Sequence, residues 1–393
     1  MTEQREPANR EPFKREGDEQ QQTTQPIRNK TIDLMLLAAA SRRLLNPSRL
    51  CLYFSVLPGL RSFPLYPSSS RPGFKMASTT SAAAVFDSIQ AVIGTDAGNR
   101  GMKSLIVPGD LEKAAEILAT LPAPSVVVVL SGFPCCVNES PPSETDGPPG
   151  TYAIARAAAA FGHRAIVATD ACNEAVFAAA LEDMALPSDC EPVTLQVFPA
   201  TFTKADEARF RKLANDCNLL IACERAGPGK SGKCYTMRGI DMNEKGLIAP
   251  LHRLVRESES PFLAVGDGGN ELGMGKVIDN IINNPKIADG DKIGCVIAAD
   301  HLIAASVSNW GGYALSAAAA VARASQKNAS VASWVERCLP TEAEEVALLD
   351  RCVAAGCRDG VSGKNEATVD GMPLETSMQA LRDIREAALA NFK

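Results

Sequence analysis

The chain has 393 residues, of which 46% are apolar and 22% are charged. That composition is typical of a globular protein, and no apolar run approaches the ~20 residues that a membrane-spanning helix needs. Residues 1–75 hold 12 of the 40 basic residues but only 7 of the 46 acidic ones, which leaves the rest of the chain strongly acidic. An acidic surface repels polyanions, so the sequence argues against nucleic-acid binding.

The first 75 residues differ in composition from the body of the chain. Residues 1–34 are polar and lack periodicity, which predicts a disordered leader. Residues 35–75 contain six basic side chains and no acid, together with many Leu, Ala and Ser, which is typical of an organelle transit peptide. We therefore expect import into the mitochondrial matrix. The alternatives are an upstream reading frame joined in error and translation from Met76, which would yield a cytoplasmic protein.

The twelve cysteines are scattered and lack the Cys-x-x-Cys spacing of a zinc site, and only three histidines accompany them. A structural zinc site is therefore not expected. Cys135 and Cys136 are adjacent, and neighbouring cysteines rarely form a disulfide with each other. We interpret the thiols as reduced, mostly buried side chains in a reducing compartment.

After residue 76 the sequence alternates between two patterns. Apolar, β-branched runs predict buried strands at residues 125–130, 164–169, 194–198, 218–223, 261–265 and 292–299. Helical patterns lie between most of these runs and continue after the last, at residues 151–162, 173–184, 204–216, 247–257, 277–283, 310–325, 341–355 and 374–389. The alternation predicts one α/β domain over residues 82–391, a doubly wound, mainly parallel sheet of about six strands with helices on both faces.

Acidic residues follow most of the predicted strands. Because the carboxyl ends of parallel strands lie at one edge of such a sheet, we expect these side chains to meet there. Five of them are candidates to hold a divalent metal such as Mg²⁺ or Mn²⁺, which prefers oxygen ligands: Asp146, Asp170, Glu224, Asp267 and Asp300. The alternatives are that the carboxylates act as bases or salt-bridge partners, or that polar residues simply gather in loops.

The segment GDGGNELGMGK at residues 266–276 directly follows a predicted strand. It lacks the spacing of an ATP-binding P-loop and that of a dinucleotide-binding turn, so neither ATP nor NAD is supported. The backbone N–H groups of Gly268 and Gly269 remain available to bind a carboxylate or an oxyanion. The alternative is that the glycines only form a tight turn between strand and helix.

Five motifs in one order resemble the D-glutamate cyclase C-terminal domain family. They are SETDGPPG at residues 143–150, YTMRGID at 235–241, GDGGNELGMG at 266–275, VSNWGGY at 307–313 and VDGMP at 369–373. The resemblance covers residues 82–390 and implies an α/β domain associated with conversion of D-glutamate to 5-oxo-D-proline and water. Longer family members carry an N-terminal hydro-lyase-like module, and nothing in residues 1–81 resembles it.

This chemistry needs one group to take a proton from the α-amine and another to protonate the leaving γ-carboxylate oxygen. We expect the acid and base among Asp267, Glu271 and Asp146. The expected substrate-binding residues supply a guanidinium, amides, a hydroxyl, a carboxylate and backbone N–H groups: Arg238, Gly268, Gly269, Asn270, Asn309, Glu144 and Thr145.

Several of these residues have structural alternatives. Asp267 could cap the following helix, with Glu271 as a charge in its first turn. Arg238 could pair with a loop acid and order the site. Asn309 could cap its own helix rather than reach a substrate oxygen beside a wall formed by Trp310.

Two classes of function therefore remain open. The first is a lyase acting on D-glutamate without a nucleotide, and the second is a non-catalytic protein that binds or senses such a metabolite. In both cases the expected partner is a small acidic amino acid, with no nucleic acid and no membrane, and assembly into a homo-oligomer stays open.

Overall fold

A computed structural model of the chain describes residues 80–390, with side chains from residue 83 onward. The predicted leader and transit peptide lie outside these residues and stay predictions. Within the described part, none of the helices is both long and apolar enough to cross a membrane.

The centre of the domain is a sheet of six parallel strands. They are β1 (Val126–Gly132), β2 (Arg164–Asp170), β3 (Thr194–Phe198), β4 (Leu219–Arg225), β5 (Phe262–Gly266) and β6 (His301–Ala304). The strands lie in the order β3-β2-β1-β4-β5-β6, and every neighbouring pair is parallel. This order is that of a doubly wound α/β sheet, which confirms the predicted fold class. Two short strands, β7 (Thr368–Val369) and β8 (Met372–Pro373), form a separate antiparallel hairpin.

The helices of residues 80–390 cover both faces of the sheet. They are α1 (Thr80–Ile93), α2 (Asp110–Thr120), α3 (Pro148–Ala160), α4 (Glu174–Leu181), α5 (Lys204–Asp216), α6 (Leu254–Glu257), α7 (Ile278–Asn283), α8 (Gly290–Ile293), α9 (Ser308–Lys327), α10 (Val331–Cys338), α11 (Glu342–Ala354) and α12 (Leu374–Leu389). Helices α1, α2, α8 and α10 are additions to the helices predicted from sequence. Helix α9 is central, since it packs against α1, α2, α3, α10 and α12.

The side chains of β1 show how the sheet is buried on both faces. Val127 and Val129 belong to one apolar core, and Val128 and Leu130 belong to the other. All four side chains are fully buried. Because successive side chains of a strand point to opposite faces, burial on both faces requires a continuous apolar run, as the sequence shows.

The position of the sixth strand differs from the prediction. Residues 292–299 were expected to form it, but β6 starts at His301 and residues 294–300 form a loop. That loop runs along the glycine segment, where the N–H of Gly275 donates to the carbonyl of Ile297 at 3.0 Å and the N–H of Cys295 donates to the carbonyl of Gly269 at 2.9 Å. Cys295 and Ala299 are buried there, whereas Val296 is 49% exposed, so the apolar run is not explained by a place in the sheet.

Candidate functional site

The loops after β1, β4 and β5 converge beside the carboxyl ends of these strands. Strands β1 and β4 are neighbours in the sheet, and the order of the strands reverses direction between them. Doubly wound sheets bind ligands at such a switch point, because the connections diverge to opposite faces and leave a crevice. A pocket of about 240 Å³ lies there, lined by residues of these loops and of the segment 360–370.

Six carboxyl side chains line or adjoin the pocket, and we call them the acidic cluster: Glu144, Asp146, Glu224, Asp267, Glu271 and Asp370. Five of them, all except Glu144, contribute oxygen atoms to two sets whose members lie within 4.8 Å of one another. One set comes from Asp146, Asp267 and Asp370, and the other comes from Glu224, Asp267 and Glu271. Asp267 therefore belongs to both sets and occupies the centre of the cluster.

A β-bulge near the end of β4 places Glu224. The register between β1 and β4 shifts so that Ser131 pairs with Cys223 while Gly132 pairs with Arg225, which leaves Glu224 as an extra residue. Glu224 has a φ of 45°, which is uncommon for a residue other than glycine. Bulges beside active sites re-aim a side chain in this way. Among the described residues, Oε2 of the buried Glu224 has no hydrogen-bond partner.

The glycine segment after β5 binds Glu271. The N–H of Gly268 donates to Oε1 of Glu271 at 2.9 Å, and the N–H of Gly269 donates to Oε2 at 2.8 Å. Gly269 has a φ of 104°, a conformation that favours glycine. These two N–H groups, expected to bind a substrate carboxylate, are thus used by a carboxylate of the protein itself. Asp267 does not cap the following helix and Glu271 does not lie in its first turn, because the next helical turn begins only at Gly275. Both structural alternatives are therefore wrong.

Asp146 is held by the first turn of α9. Its Oδ2 accepts the N–H of Ser308 at 2.8 Å, and its Oδ1 accepts the N–H of Asn309 at 2.8 Å. Asn309 in turn holds the start of α3, since its Oδ1 accepts the N–H groups of Gly147 and Gly150, each at 2.9 Å. Asp146 thus adjoins the pocket through its carboxylate, while Asn309 stabilises the loop that carries it.

Three sequence-based expectations around this loop need correction. The side chain of Asn309 also donates to the carbonyl of Thr145 at 3.1 Å, so both ends of its amide bind the protein, and it lies outside the pocket lining. It does not cap its own helix, whose N-cap is Val307. Trp310 donates to Oγ of Ser377 at 3.0 Å and is buried away from the pocket.

Thr145 is also committed to the scaffold. Its Oγ1 donates to the carbonyl of Thr368 at 2.7 Å, and its N–H donates to the carbonyl of Arg358 at 2.8 Å. These bonds join the β1–α3 loop to the segment that leads into the β7–β8 hairpin. Thr145 therefore lies outside the pocket lining, and its contribution is to hold Glu144 and Asp146 in position.

Arg100 supplies positive charge inside the acidic cluster. No sequence pattern pointed to this residue. Its Nη1 forms an ion pair with Asp267 and a second one, at 3.2 Å, with Asp370. These carboxylates, with Glu271 and Glu224, raise the pKa of Arg100 well above its ordinary value despite burial, so it stays charged. Asp370, at the turn of the β7–β8 hairpin, was likewise missed as a site residue, although its VDGMP motif contributed to the family resemblance.

Burial and mutual repulsion change the protonation of the cluster. Burial, together with neighbouring carboxylates, raises the pKa of Glu144, Glu224 and Asp267 well above the ordinary carboxyl range, although Arg100 opposes the rise at Asp267. Burial and the charge of Asp370 also raise the pKa of Asp146, to about 7, against the effect of its backbone donors. Without an added cation, burial and mutual repulsion thus favour the protonated forms of these groups.

Arg238 and Asn270 line the pocket, as expected from the sequence. Arg238 is exposed at the mouth, where its Nη2 donates to the carbonyl of Val361 at 2.9 Å. Within residues 83–390, Arg238 forms no ion pair with a loop acid. The alternative that such a pair orders the site is therefore wrong. The Nδ2 of Asn270 donates to the carbonyl of Tyr235 at 2.7 Å, and its buried Oδ1 has no hydrogen-bond partner among the described residues.

Two of the five predicted metal ligands are not part of the cluster. Asp170 lies at the end of β2 and forms a buried ion pair with Arg225, and its Oδ1 also accepts the N–H of Ala249 at 2.6 Å. Asp300 precedes β6 and accepts the N–H of Phe262, the first residue of β5, at 2.8 Å. It therefore lies at the amino edge of the sheet, opposite the pocket, because the sixth strand was misplaced by the prediction.

The fold and the pocket define a doubly wound α/β protein with a buried acidic site at its switch point. A family model described as "D-glutamate cyclase-like, C-terminal" matches residues 89–385, so the chain belongs to this family. It is 31% identical over 338 residues to the human protein "D-glutamate cyclase, mitochondrial". That match covers 79% of this chain and 53% of the human protein, so the chain spans about half the length of that relative.

Proposed function

We propose that this chain is a lyase that closes D-glutamate to 5-oxo-D-proline and releases water. Membership of the D-glutamate cyclase-like family supports this class of chemistry. The observation that carries the proposal is the position of Asp267, which belongs to both oxygen sets of the acidic cluster and pairs with Arg100. A carboxyl group in that position can reach both reacting ends of a bound amino acid, as proton transfer requires.

The reaction forms a bond between the α-nitrogen and the γ-carbon and breaks one γ-carbon–oxygen bond. Two protons pass from the substrate ammonium to the leaving oxygen, so no net proton is taken up. In the metal-free site, the raised pKa of Asp267 and Glu224 suits donation of a proton to that oxygen. Glu271, whose oxygen atoms lie beside those of Asp267 and Glu224, is our candidate to accept a proton from the amine. Ring closure is intramolecular, so holding the reactive conformer supplies much of the remaining rate enhancement.

We further propose that a divalent cation, Mg²⁺ or Mn²⁺, binds in the acidic cluster. The acidic cluster has six carboxyl groups, and the guanidinium of Arg100 pairs with only two of them. Because an acidic substrate adds further negative charge, a bound cation would stabilise the occupied site. The buried Oε2 of Glu224 lacks a partner among the described residues, which fits a ligand atom. Asp267 would hold the ion either with Glu224 and Glu271 or with Asp146 and Asp370. A bound cation of this kind polarises a carboxyl oxygen as a Lewis acid.

Arg238 is our candidate for binding the substrate's α-carboxylate. Its guanidinium lies at the mouth of the pocket, and only one of its nitrogen atoms is engaged by the carbonyls of Gly360 and Val361. A guanidinium binds a carboxylate through two parallel hydrogen bonds, which orients a small ligand as well as attracting it. The expected roles of Glu144 and Asn270 as further contacts to the ligand are consistent with their places in the pocket lining.

A non-catalytic, metabolite-binding function is the second candidate. The specific observation that favours it is that the chain spans only 53% of the human relative's length. In this candidate the pocket described here binds an acidic amino acid, and turnover belongs to the part of the relative that the match does not cover.

One experiment separates the two candidates. The purified full chain is incubated with D-glutamate and Mg²⁺ or Mn²⁺, and 5-oxoproline is measured by chromatography on a chiral column. L-Glutamate and the Asp267→Asn variant are the controls. Product formation by the wild-type chain supports the lyase. Binding of D-glutamate by calorimetry without product identifies the metabolite-binding alternative, and absence of both contradicts each proposal.

We also propose mitochondrial import. The acid-free, arginine-containing residues 35–75 support it, and the human relative is described as mitochondrial. Expression of the full chain with a C-terminal fluorescent tag should show mitochondrial localisation and cleavage near residue 75. The same chain translated from Met76 is the control and should stay in the cytoplasm. A cytoplasmic full chain of uncleaved mass would contradict import.

A further inference from the structure

Two adjacent thiols lie in the β1–α3 loop beside the pocket. The Sγ atoms of Cys135 and Cys136 are 3.8 Å apart, within hydrogen-bond distance for sulfur. Both residues are partly exposed, whereas most of the other described cysteines are buried. Cys135 lines the pocket itself. The pair therefore combines two neighbouring sulfur atoms with access to small molecules that enter the site.

The surroundings of Cys136 favour its thiolate. The hydrogen bond from Cys135, followed by the positive charges of Arg358 and Arg238, lowers the pKa of Cys136. The hydrogen bond with Cys136, together with burial, raises the pKa of Cys135, which favours its thiol form. A thiolate is the nucleophilic form of cysteine, and its neighbour is placed to react with the oxidised product. The two thiols thus have the arrangement of an attacking cysteine and a resolving cysteine.

We propose that Cys135 and Cys136 form a reversible oxidation site that reacts with a hydroperoxide. The thiolate of Cys136 attacks a peroxide oxygen, the O–O bond breaks, and the sulfur becomes a sulfenic acid while hydroxide or alkoxide leaves. The thiol of Cys135 then attacks that sulfur, which forms the S–S bond and releases water. Overall, two thiols are oxidised by two electrons, and the peroxide is reduced. A cellular dithiol reverses the reaction by exchange.

The bond formed in this way is expected to be labile. Consecutive Cα atoms are about 3.8 Å apart across a trans peptide, whereas disulfides usually join Cα atoms separated by about 4.4–6.8 Å. A disulfide between neighbours is therefore strained, and strained, accessible disulfides are the ones that thiols reduce readily. The sequence-based expectation that neighbouring cysteines rarely bridge applies to stable structural disulfides. It does not apply to a transient bond in a reducing compartment.

Oxidation of the two thiols would change the lining of the pocket. The expected effect on turnover rests on the proposed function. The thiol of Cys135 is hydrogen-bonded to the carboxyl group of Glu144. Both side chains lie against Gly360, where an added Cβ would be 3.2 Å from Sγ of Cys135 and would overlap Glu144. A disulfide requires the two sulfur atoms to approach to about 2.05 Å, which moves Cys135 relative to these neighbours. We expect Glu144 to lose its thiol contact and the oxidised protein to turn over substrate more slowly.

The test uses the full chain treated with hydrogen peroxide under native conditions. Free thiols are then alkylated after denaturation, and the peptide that contains residues 135–136 is analysed by mass spectrometry. We expect this peptide to escape alkylation, to be lighter by two hydrogen atoms, and to recover both thiols after dithiothreitol. The matched control is Cys190→Ser, which removes another partly exposed cysteine outside the pocket and should leave the result unchanged.

Two variants distinguish the roles of the thiols. In Cys135→Ser, Cys136 should accumulate as a sulfenic acid that dimedone traps; in Cys136→Ser, Cys135 should stay alkylatable. Full alkylation of the wild-type peptide after peroxide, or a disulfide from either residue to the nearby Cys357, would overturn the proposal. These readouts do not depend on turnover. If the chain lacks lyase activity but forms the disulfide, only the proposed function fails.

Discussion

Asp146 binds the backbone at the start of α9, the helix that contains Asn309, and Asn309 binds the backbone at the start of α3, the helix that follows Asp146. The carboxylate of Asp146 accepts two N–H groups from the first turn of α9, and the amide oxygen of Asn309 accepts two at the start of α3. Neither residue caps its own helix. Because α3 and α9 also pack against each other in the core, the carboxylate of Asp146 is held in the acidic cluster by the most buried part of the domain.

We predict that Asn309→Ala lowers stability. The substitution leaves the buried N–H of Gly150 without an acceptor, which costs about 1–3 kcal/mol, while the N–H of Gly147 keeps only Oδ1 of Asp146 as acceptor. Urea unfolding should show a lower free energy of unfolding. The control is Asn283→Ala, which removes an exposed side-chain hydrogen bond at the end of α7 and should change stability little. Equal stabilities of the two variants would show that Asn309 does not support this loop.

We predict that Asp267→Asn abolishes most turnover. The amide keeps the size of the side chain but cannot carry a proton between substrate groups, and it leaves Arg100 with one ion-pair partner fewer. We expect turnover to fall by at least about 10²-fold in a 5-oxoproline assay, the range typical of general acid–base groups. The control is Asp300→Asn, at the opposite edge of the sheet. Near-wild-type turnover of Asp267→Asn would remove Asp267 from the mechanism.

We predict that Arg238→Lys raises KM about tenfold or more with a smaller change in kcat. Lysine keeps the charge but loses the planar fork that binds a carboxylate through two hydrogen bonds. The matched control is Arg256→Lys, since the side chain of Arg256 is 84% exposed and away from the pocket. An unchanged KM for Arg238→Lys would show that Arg238 does not bind the substrate and only contacts the carbonyls of Gly360 and Val361.

We predict that the metal-free protein loses stability as pH rises from about 4 to above 7. The folded state raises the pKa of Asp146 from 3.8 to about 7, so in this window it binds a proton that the unfolded chain has released. Stability therefore falls with increasing pH, by up to about 1.4 kcal/mol per pH unit for one such group. Unfolding free energies measured at several pH values check the slope.

The control for this slope is Glu345, whose pKa burial also raises to about 7. Glu345 accepts a hydrogen bond from Tyr313 and is outside the pocket lining. Asp146→Asn and Glu345→Gln should each reduce the slope, but Mg²⁺ or Mn²⁺ should counteract only the contribution of the acidic cluster. A slope unaffected by Asp146→Asn would contradict the assignment of that pKa.

We predict that Mn²⁺ binds the protein and raises its melting temperature. A ligand at 100 times its Kd adds about 2.7 kcal/mol to the free energy of unfolding. Glu224→Gln should weaken binding measured by calorimetry, because it removes the charge of a carboxylate whose Oε2 has no partner among the described residues. Glu345→Gln, another buried carboxyl replacement, should bind Mn²⁺ like the wild type. No change in melting after chelation and readdition of Mn²⁺ would exclude this site.

Local patterns were sufficient to predict the fold class. Continuous apolar runs separated by helical segments require strands buried on both faces, and the structure confirms this with six parallel strands. Helix α5 was predicted with its observed bounds, and its Thr203–Asp206 capping box is a local signal of where a helix begins. Helix α12 also matches its predicted bounds and begins directly after Pro373. The same kind of pattern failed at residues 292–299, because apolarity does not distinguish a strand from a buried loop.

The sequence by itself predicted that the acids after β1, β4 and β5 meet at the carboxyl edge of the sheet, because that edge is shared by all strands of a parallel sheet. The sequence could not determine which side chains and backbone groups these acids and their loops would contact. Arg100 meets Asp267 and Asp370 across long stretches of chain, and Asn309 binds Gly147, which is 162 residues away. Whether Glu271 or a ligand uses the glycine N–H groups is likewise a matter of three-dimensional position. Periodicity records only which face of an element is buried, so contacts between distant loops were decided by the tertiary structure alone.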